Sequence, residues 1–127
     1  MEMKAIETEL GIISGRNAIY LDHLNTGLYP LTLELIGAIS RNLCSIQNHP
    51  ERFIKYTLTF HNVVIYTCCE LDTFRQSRYL KSSLNEVQDS ELVNQRNLAA
   101  THRHYIVATY DHVLEVVANN YEFKILD

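Results

Sequence analysis

The sequence predicts an all-α protein, an antiparallel four-helix bundle with long third and fourth helices. The chain has only four glycines and two prolines in 127 residues, which is few for a β-sandwich with its many turns. Apolar residues recur at steps of three and four, the spacing that keeps side chains on one helical face. Residues 90–121 contain neither glycine nor proline, so nothing in them breaks a long helix. A single domain, 1–127, is expected at this length.

The first half of the chain is predicted to form two helices. Apolar residues share one helical face over 6–13, and the pattern resumes over 17–24 after a Ser-Gly pair. This indicates either one interrupted helix or an arm followed by a short helix. The second helix runs from about Pro30 to Gln47, because proline suits the first turn of a helix. Gly37 inside it is expected to permit close packing against a neighbouring helix.

The third helix is predicted to begin after Asn48-His49-Pro50-Glu51 and to run to about Tyr79. Asparagine is a good N-cap, and proline and glutamate suit the first turn. The residues at helical spacing are Phe53, Tyr56, Phe60, Val63, Thr67, Leu71 and Phe74. A strand is the alternative over 56–67, which is rich in β-branched and aromatic residues. A helix is preferred because residues 63–66 form a continuous apolar run and 52–78 contains no turn signal.

The fourth helix is predicted to lie within 90–121. Ser83-Leu84-Asn85-Glu86 has the form of a capping box, and Asp89-Ser90 offers a second helix start. One face of the helix would carry Ala99, Ile106, Tyr110, Val113 and Val117. Asn119-Asn120 would end it, and 121–127 would pack as a tail or a short strand. Helices of about 30 residues are about 45 Å long, which fits a bundle with short loops.

The composition indicates an ordinary globular protein with an acidic balance. The formal net charge is -4, which does not favour binding of duplex DNA through its phosphates. No signal peptide is recognised, and no apolar stretch reaches the roughly 20 residues of a membrane span. We therefore expect a cytoplasmic protein with no membrane partner. Cys44, Cys68 and Cys69 are expected to be small buried apolar residues in a reducing compartment.

The motifs of common enzymes are absent from the sequence. There is no G-x-x-x-x-G-K-[ST], G-x-G-x-x-G, G-x-S-x-G or H-E-x-x-H. On a helix, His102 and His104 would point to opposite sides, and His104 and His112 would lie about 12 Å apart along the axis. That spacing does not suit metal ligation, so no cofactor and no metal are expected. His112 and Glu115, three residues apart, are interpreted as a surface pair on the helix.

The segment from Arg96 to His102 resembles the signature of the HEPN superfamily: an arginine, a polar residue, a short spacer and a histidine. Those domains are small helical bundles, many of them metal-independent ribonucleases. The resemblance implies Arg96 and His102 as catalytic residues, with Asn97 and Tyr105 assisting in binding RNA. On one continuous helix Arg96 and His102 would lie about 120° apart, so they would converge only through a kink or across a dimer interface. The alternative is a solvated polar half of the last helix.

Three functions follow from these observations. The first is a small helical protein without catalytic activity that acts through protein–protein interaction as a homodimer. It rests on two adjacent apolar rows in the third helix and on the abundance of tyrosine. The second is a HEPN-like ribonuclease or an inactive relative of one. The third is a bundle that holds an apolar ligand or a metal between its helices.

Overall fold

The chain is mostly antiparallel β-sheet, so the predicted four-helix bundle is wrong. The computed structural model describes residues 2–74 and 79–126. The strands in these ranges are β1 (Glu2–Ala5), β2 (Ile19–Gly27), β3 (Thr32–Ser40), β4 (Phe53–His61), β5 (Ile65–Glu70), β6 (Leu84–Gln88), β7 (Arg103–Ala108), β8 (His112–Ala118) and β9 (Asn120–Ile125). One short α-helix, α1 (Glu91–Asn94), and two 3-10 turns (Arg41–Leu43 and Leu71–Thr73) complete the described elements.

The strands in the described residues form two antiparallel sheets. The five-stranded sheet has the order β1-β6-β7-β8-β5, and the four-stranded sheet has the order β2-β3-β4-β9. The chain crosses from one sheet to the other after β1, after β4 and after β8. Helices in the described residues are too short and too polar to cross a membrane.

Strict alternation of buried and exposed residues explains why β4 is a strand. Ile54, Tyr56, Leu58 and Phe60 are buried, and the residues between them are more exposed. The predicted third helix used Phe53, Tyr56 and Phe60, but Phe53 points to the opposite face from the other two. A step of four residues is even, so it keeps two side chains on one face of a strand as well as of a helix. Helical spacing alone therefore did not exclude the strand.

The apolar run that disfavoured a strand, residues 63–66, spans the connection between two strands and the first two residues of β5. β4 ends at His61, and Asn62 has a φ of 52°, a conformation that asparagine tolerates better than most residues. Val63 then donates its N–H to the carbonyl of Leu31, and Val64 donates to Val117 of the other sheet. Residues 63–66 are continuous in hydrophobicity because the chain changes sheets there. Asn62 is the turn signal that the sequence interpretation missed.

The predicted second helix is strand β3 and its surroundings. Leu33, Leu35 and Ile39 are buried on one face of the strand. Pro30 lies in the connection between β2 and β3 instead of opening a helix. The segment 6–13 and residues 17–24, predicted as helical, form an irregular segment and most of β2.

The predicted fourth helix is one helical turn followed by three strands. Its start is confirmed locally, because the Ser90 side chain accepts a hydrogen bond from the N–H of Val93 and caps α1. The helix ends at Asn94, residues 95–102 form turns, and the predicted span continues with β7, β8 and the start of β9. Of the two possibilities for the last residues, the short strand is the correct one, as β9. The proposed capping box at 83–86 lies at the start of β6.

The main hydrophobic core lies between the two sheets. Buried residues from β3 and β4 meet buried residues from β6, β7 and β8 in one cluster. Ring contacts join the sheets directly: Tyr105 of β7 lies 5.4 Å from Phe60 of β4 and 5.4 Å from Tyr121 of β9, measured between centroids. A second, smaller cluster contains Phe74, Ile106 and Val113.

Candidate functional site

The outer face of the five-stranded sheet, which points away from the four-stranded sheet, is only partly covered. Alternation along the strands places His104 and Ile106 of β7 on this face, together with Val113 and Glu115 of β8. Phe74 packs over Ile106 and Val113. His104 is also buried on this face, whereas the Glu115 side chain is 30% exposed.

A cavity of about 750 Å³ lies over the part of this face that contains His104 and Glu115. It is called the acidic cavity below, because four of its lining residues carry carboxylates and none of those described is lysine or arginine. The lining residues are Glu2, Ile65, Thr67, Val87, Gln88, Asp89, Ser90, Glu91, Leu92, Gln95, His104 and Glu115. The segment 88–95, which contains α1, forms one wall. The strands β5, β7 and β8 form the floor.

Three side chains from separate elements are hydrogen-bonded in a row at the floor of the acidic cavity. The Ser90 Oγ lies 2.9 Å from His104 Nδ1, and His104 Nε2 lies 3.0 Å from Glu115 Oε1. His104 is 4% exposed and Ser90 is 7% exposed, whereas the side chain of Glu115 is 30% exposed. In the pairing of β7 with β8, His104 lies opposite Val117, so Glu115 is its diagonal neighbour on the same face.

With an ionised Glu115 and a neutral His104, hydrogen-bond chemistry sets the direction of this row. An ionised carboxylate can only accept, so His104 Nε2 carries the hydrogen that bonds to Glu115. In the neutral imidazole Nδ1 is then the acceptor, and the Ser90 hydroxyl donates to it. Ser90 Oγ in turn accepts the N–H of Val93 at 3.3 Å. The row therefore runs from the helix cap to Glu115, and the carboxylate is its open end.

The row suits the orientation of a carboxylate better than the activation of a serine nucleophile. The hydroxyl of Ser90 is buried, and its oxygen is engaged as the cap of α1, where it accepts the N–H of Val93. A nucleophilic serine must instead present its oxygen to the substrate. Glu115 is the member of the row that remains accessible, and its position is set by a histidine that is itself fixed from behind.

The four residues predicted as a site from the sequence lie apart from Glu115. Arg96 is exposed after α1 and donates to the carbonyl of Leu92 at 3.2 Å. Asn97 follows it with a φ of 57°. Tyr105 points into the core between the sheets, where burial, reinforced by Glu86, raises its pKa to about 12.

His102 is the predicted residue that comes closest to the row. Its ring nitrogens are bonded to Thr101 Oγ1 at 2.7 Å and to the carbonyl of Asn62 at 3.2 Å. It shares the lining of a depression of about 270 Å³ with Ser90 and His104. No hydrogen bond, ion pair or ring contact among the described residues joins any two of Arg96, Asn97, His102 and Tyr105. Their role in binding or catalysis stays a prediction.

Glu115 and His104 were missed because the sequence was interpreted with the 3.6-residue period of a helix, whereas side chains on a strand alternate with a period of two. On a helix, Glu115 is a neighbour of His112, and the two were predicted as a surface pair. In a strand, residues three apart point to opposite faces, so that pair is wrong and Glu115 binds His104 instead. The buried N-cap Ser90 was recognised, but nothing in the sequence linked it to residues 14 and 25 positions later.

The remaining candidate groups are the possible metal ligands and the three cysteines, and they offer less support for a site. Among the described residues, no group of three or more His, Cys, Asp or Glu side chains has the arrangement of a metal site. Cys44 is buried as expected, and burial raises the pKa of its thiol. Cys68 is exposed on β5, contrary to expectation, and Cys69 is half-buried. The pKa of Cys68 is raised by burial and by the neighbouring Cys69, which lowers its reactivity as a thiolate.

The chain matches no family model, and comparisons with curated proteins and with solved structures give no match. Both functions favoured from the sequence are wrong as stated. The helical interaction protein and the HEPN-like ribonuclease each require a helical bundle, and the chain is a two-sheet β protein.

Proposed function

We propose that this protein binds a small organic cation in the acidic cavity, with the Glu115 carboxylate as its principal partner. The observation that carries the proposal is the row Ser90–His104–Glu115, which holds an accessible carboxylate in one place at the cavity floor. A fixed carboxylate costs less entropy to engage than a freely rotating one, so its position favours binding of a matching group.

The charge of the cavity selects the sign of the ligand. Glu2, Asp89 and Glu91 join Glu115 in its lining, and the described lining contains no lysine or arginine to balance them. The chain as a whole carries a net charge of -4. A concave site lined by one sign of charge concentrates ligands of the opposite sign. An ammonium or guanidinium group is the expected contact for Glu115.

The size and the apolar lining select the rest of the ligand. A volume of about 750 Å³ falls in the usual range for small-molecule sites, roughly 300–1,000 Å³. Ile65, Val87 and Leu92 contribute apolar surface to the same cavity. An organic cation with an apolar body uses both features, whereas a bare inorganic ion would leave the apolar walls without a partner.

Isothermal titration calorimetry with three related probes tests the proposal. Phenethylammonium carries the expected charge, 2-phenylethanol is its neutral counterpart, and 3-phenylpropanoate carries the opposite charge. We expect heat of binding for the ammonium probe alone. In Glu115→Gln the affinity should fall about 10-fold to 100-fold, since a hydrogen bond to a charged group contributes about 1.5–3 kcal/mol.

Glu115→Gln is a mild change, because the glutamine oxygen can still accept the His104 Nε2 hydrogen. The matched control is Glu7→Gln, which removes the same charge from an exposed residue outside the cavity lining. Equal binding of all three probes, or an equal loss of affinity in both variants, would contradict the proposal. Wild-type protein that binds none of the probes would contradict it as well.

A further inference from the structure

A row of aromatic rings with an arginine at each end lies on β2, β4 and the connection between β7 and β8, and none of its residues lines the acidic cavity. Tyr110 stacks on Tyr20 with centroids 5.5 Å apart, and Tyr20 meets Phe53 edge-on at 6.2 Å. The guanidinium carbon of Arg16 lies 5.3 Å from the Tyr110 centroid, and that of Arg52 lies 5.3 Å from the Phe53 centroid. These five residues are called the aromatic ladder.

The aromatic ladder is accessible to a partner. Tyr110 is 39% exposed and Phe53 is 50% exposed, and both arginines are exposed. The ladder is also held firmly. The backbone N–H of Tyr110 donates to the carbonyl of Ile19 at 2.8 Å, which ties the β7–β8 connection to β2. Large apolar rings kept at the surface in fixed positions are typical of an interaction site.

The cations of the ladder are not neutralised within the described part of the chain. The ion pairs there are His104–Glu115 and Lys124–Glu122, and neither involves Arg16 or Arg52. Arg16 also lines a cavity of about 250 Å³ together with Lys81 and several hydroxyl-bearing residues, and none of its described lining residues is acidic. A negatively charged group therefore finds two cations, Arg16 and Lys81, in the cavity that adjoins the ladder at Arg16.

We infer that the aromatic ladder binds a single-stranded nucleic acid, whose bases take the places of the Arg16 and Arg52 guanidinium groups on the rings of Tyr110 and Phe53. The released guanidinium groups, together with Lys81, then bind phosphates. Single strands are recognised by aromatic side chains that stack on bases next to cations that follow the backbone. A duplex keeps its bases stacked on each other and offers no face to these rings. The inferred surface shares no residue with Arg96–His102, and no cleavage is implied.

The site differs from the acidic cavity in charge and in chemistry. Either proposal can therefore be refuted without refuting the other. Glu115→Gln is expected to leave nucleic-acid binding unchanged.

Fluorescence anisotropy with a labelled single-stranded RNA of about 12 nucleotides, within the site sizes of small single-strand-binding folds, tests this inference. We expect binding that weakens as salt is raised. Tyr110→Ala and Phe53→Ala should each reduce the affinity at least about fivefold, since one base–aromatic stack contributes about 1–3 kcal/mol. Arg16→Ala and Arg52→Ala should each reduce the salt dependence, by about 0.7 in the logarithmic slope for each phosphate that is no longer bound.

Matched controls separate the ladder from general surface effects. Tyr29 is 97% exposed and lies outside the ladder, so Tyr29→Ala should bind RNA as the wild type does. Arg103→Ala serves in the same way for the arginines, because Arg103 is exposed and lies outside the ladder. Far-ultraviolet circular dichroism and a thermal melt establish that each variant is folded, and Phe53→Leu provides a second variant at that position if the alanine variant does not fold.

Three results would overturn the inference. The first is no anisotropy change for wild-type protein at low salt. The second is equal loss of affinity in Tyr29→Ala or Arg103→Ala. The third is equal binding of single-stranded RNA, the matching duplex and heparin with no effect of the ring substitutions, which would indicate general attraction of polyanions.

Discussion

At the scale of single residues, Gly37 lies where the fold leaves no room for a side chain. A Cβ built on Gly37 would lie 1.9 Å from the backbone oxygen of Tyr20 on the neighbouring strand. The pairing of β2 with β3 shifts register immediately after Leu21, which is the partner of Gly37. Glycine inside a strand often marks such a close approach of two backbones. The sequence singled out Gly37 for close packing correctly, but between strands and not between helices.

Gly37→Ala is expected to lower the free energy of unfolding by about 1–3 kcal/mol, the usual cost of overpacking a filled site. The physical reason is that backbone atoms must move, since no flexible side chain can give way. Urea denaturation followed by circular dichroism measures the change. Gly27→Ala is the matched control, because its Cβ would meet only Thr32 Cβ at 3.8 Å. A near-neutral Gly37→Ala would contradict the predicted backbone clash.

At the scale of elements, Asn85 organises the turn that leads into β6. Its Oδ1 accepts the N–H groups of Lys81 and Ser82 at 2.9 and 3.1 Å. Its Nδ2 donates to the carbonyls of Ser82 and Ile106 at 2.8 and 3.4 Å. The residue is fully buried, so these hydrogen bonds supply partners that water cannot. The sequence suggested a helix capping box at 83–86. No helix begins there, and the Asn85 side chain instead binds backbone groups of the turn before a strand.

Asn85→Leu is expected to destabilise the protein by at least about 2 kcal/mol, because it leaves buried backbone N–H groups without acceptors. The midpoint and slope of urea unfolding provide the measurement. Asn119→Leu is the comparison, since Asn119 is exposed and its side chain donates from Nδ2 to the carbonyl of Thr101 at 2.7 Å. A loss in Asn119→Leu as large as in Asn85→Leu would show that burial is not the cause.

The element scale also shows where prediction from sequence succeeded and where it failed. Ser90 was recognised as a helix start, because capping depends on residues within one turn of each other. The length of the helix was overestimated, because the apolar residues of 99–117 fit a helical stripe loosely and alternate only in parts. In β7 four consecutive residues, His104 to Val107, are buried, since both faces of a central strand are covered. That pattern does not distinguish a covered strand from a buried helix.

At the scale of the whole molecule, the core between the sheets contains three tyrosines whose ionisation is disfavoured. Burial, with smaller effects of acidic neighbours, raises the pKa of Tyr56 and Tyr121 of the four-stranded sheet. It raises the pKa of Tyr105 of the five-stranded sheet from 10.0 to about 12. Well below pH 10 these groups are protonated in both folded and unfolded protein, so their contribution to stability is complete there.

The protein should therefore lose stability as the pH rises above about 10, the ordinary tyrosine pKa. The unfolded chain gives up these protons first, and ionisation favours unfolding until the pH passes the folded-state pKa values. Urea midpoints at a series of alkaline pH values measure the loss, and Tyr105→Phe should make it shallower. A Tyr105→Phe protein with the same alkaline slope as the wild type would contradict this account.

Homo-oligomerisation, which the sequence analysis expected, stays a prediction. The two apolar rows that motivated it belong to β4 and its continuation. Tyr56 and Phe60 of one row and Ile54 and Leu58 of the other are all buried in the core, so the rows leave no second apolar face for a partner. Light scattering at micromolar concentration measures the oligomeric state.

The sequence by itself determined the local and additive properties of this protein: its acidic balance and the cap at Ser90. Only the tertiary structure decided whether each segment forms a helix or a strand. Spacings of four fit helix and strand alike, and strand pairing between distant segments selects between them. The same pairing brings Ser90, His104 and Glu115 into one row and sets Arg16 against Tyr110. Neither arrangement follows from residue order, because each depends on contacts between elements that are far apart in the chain.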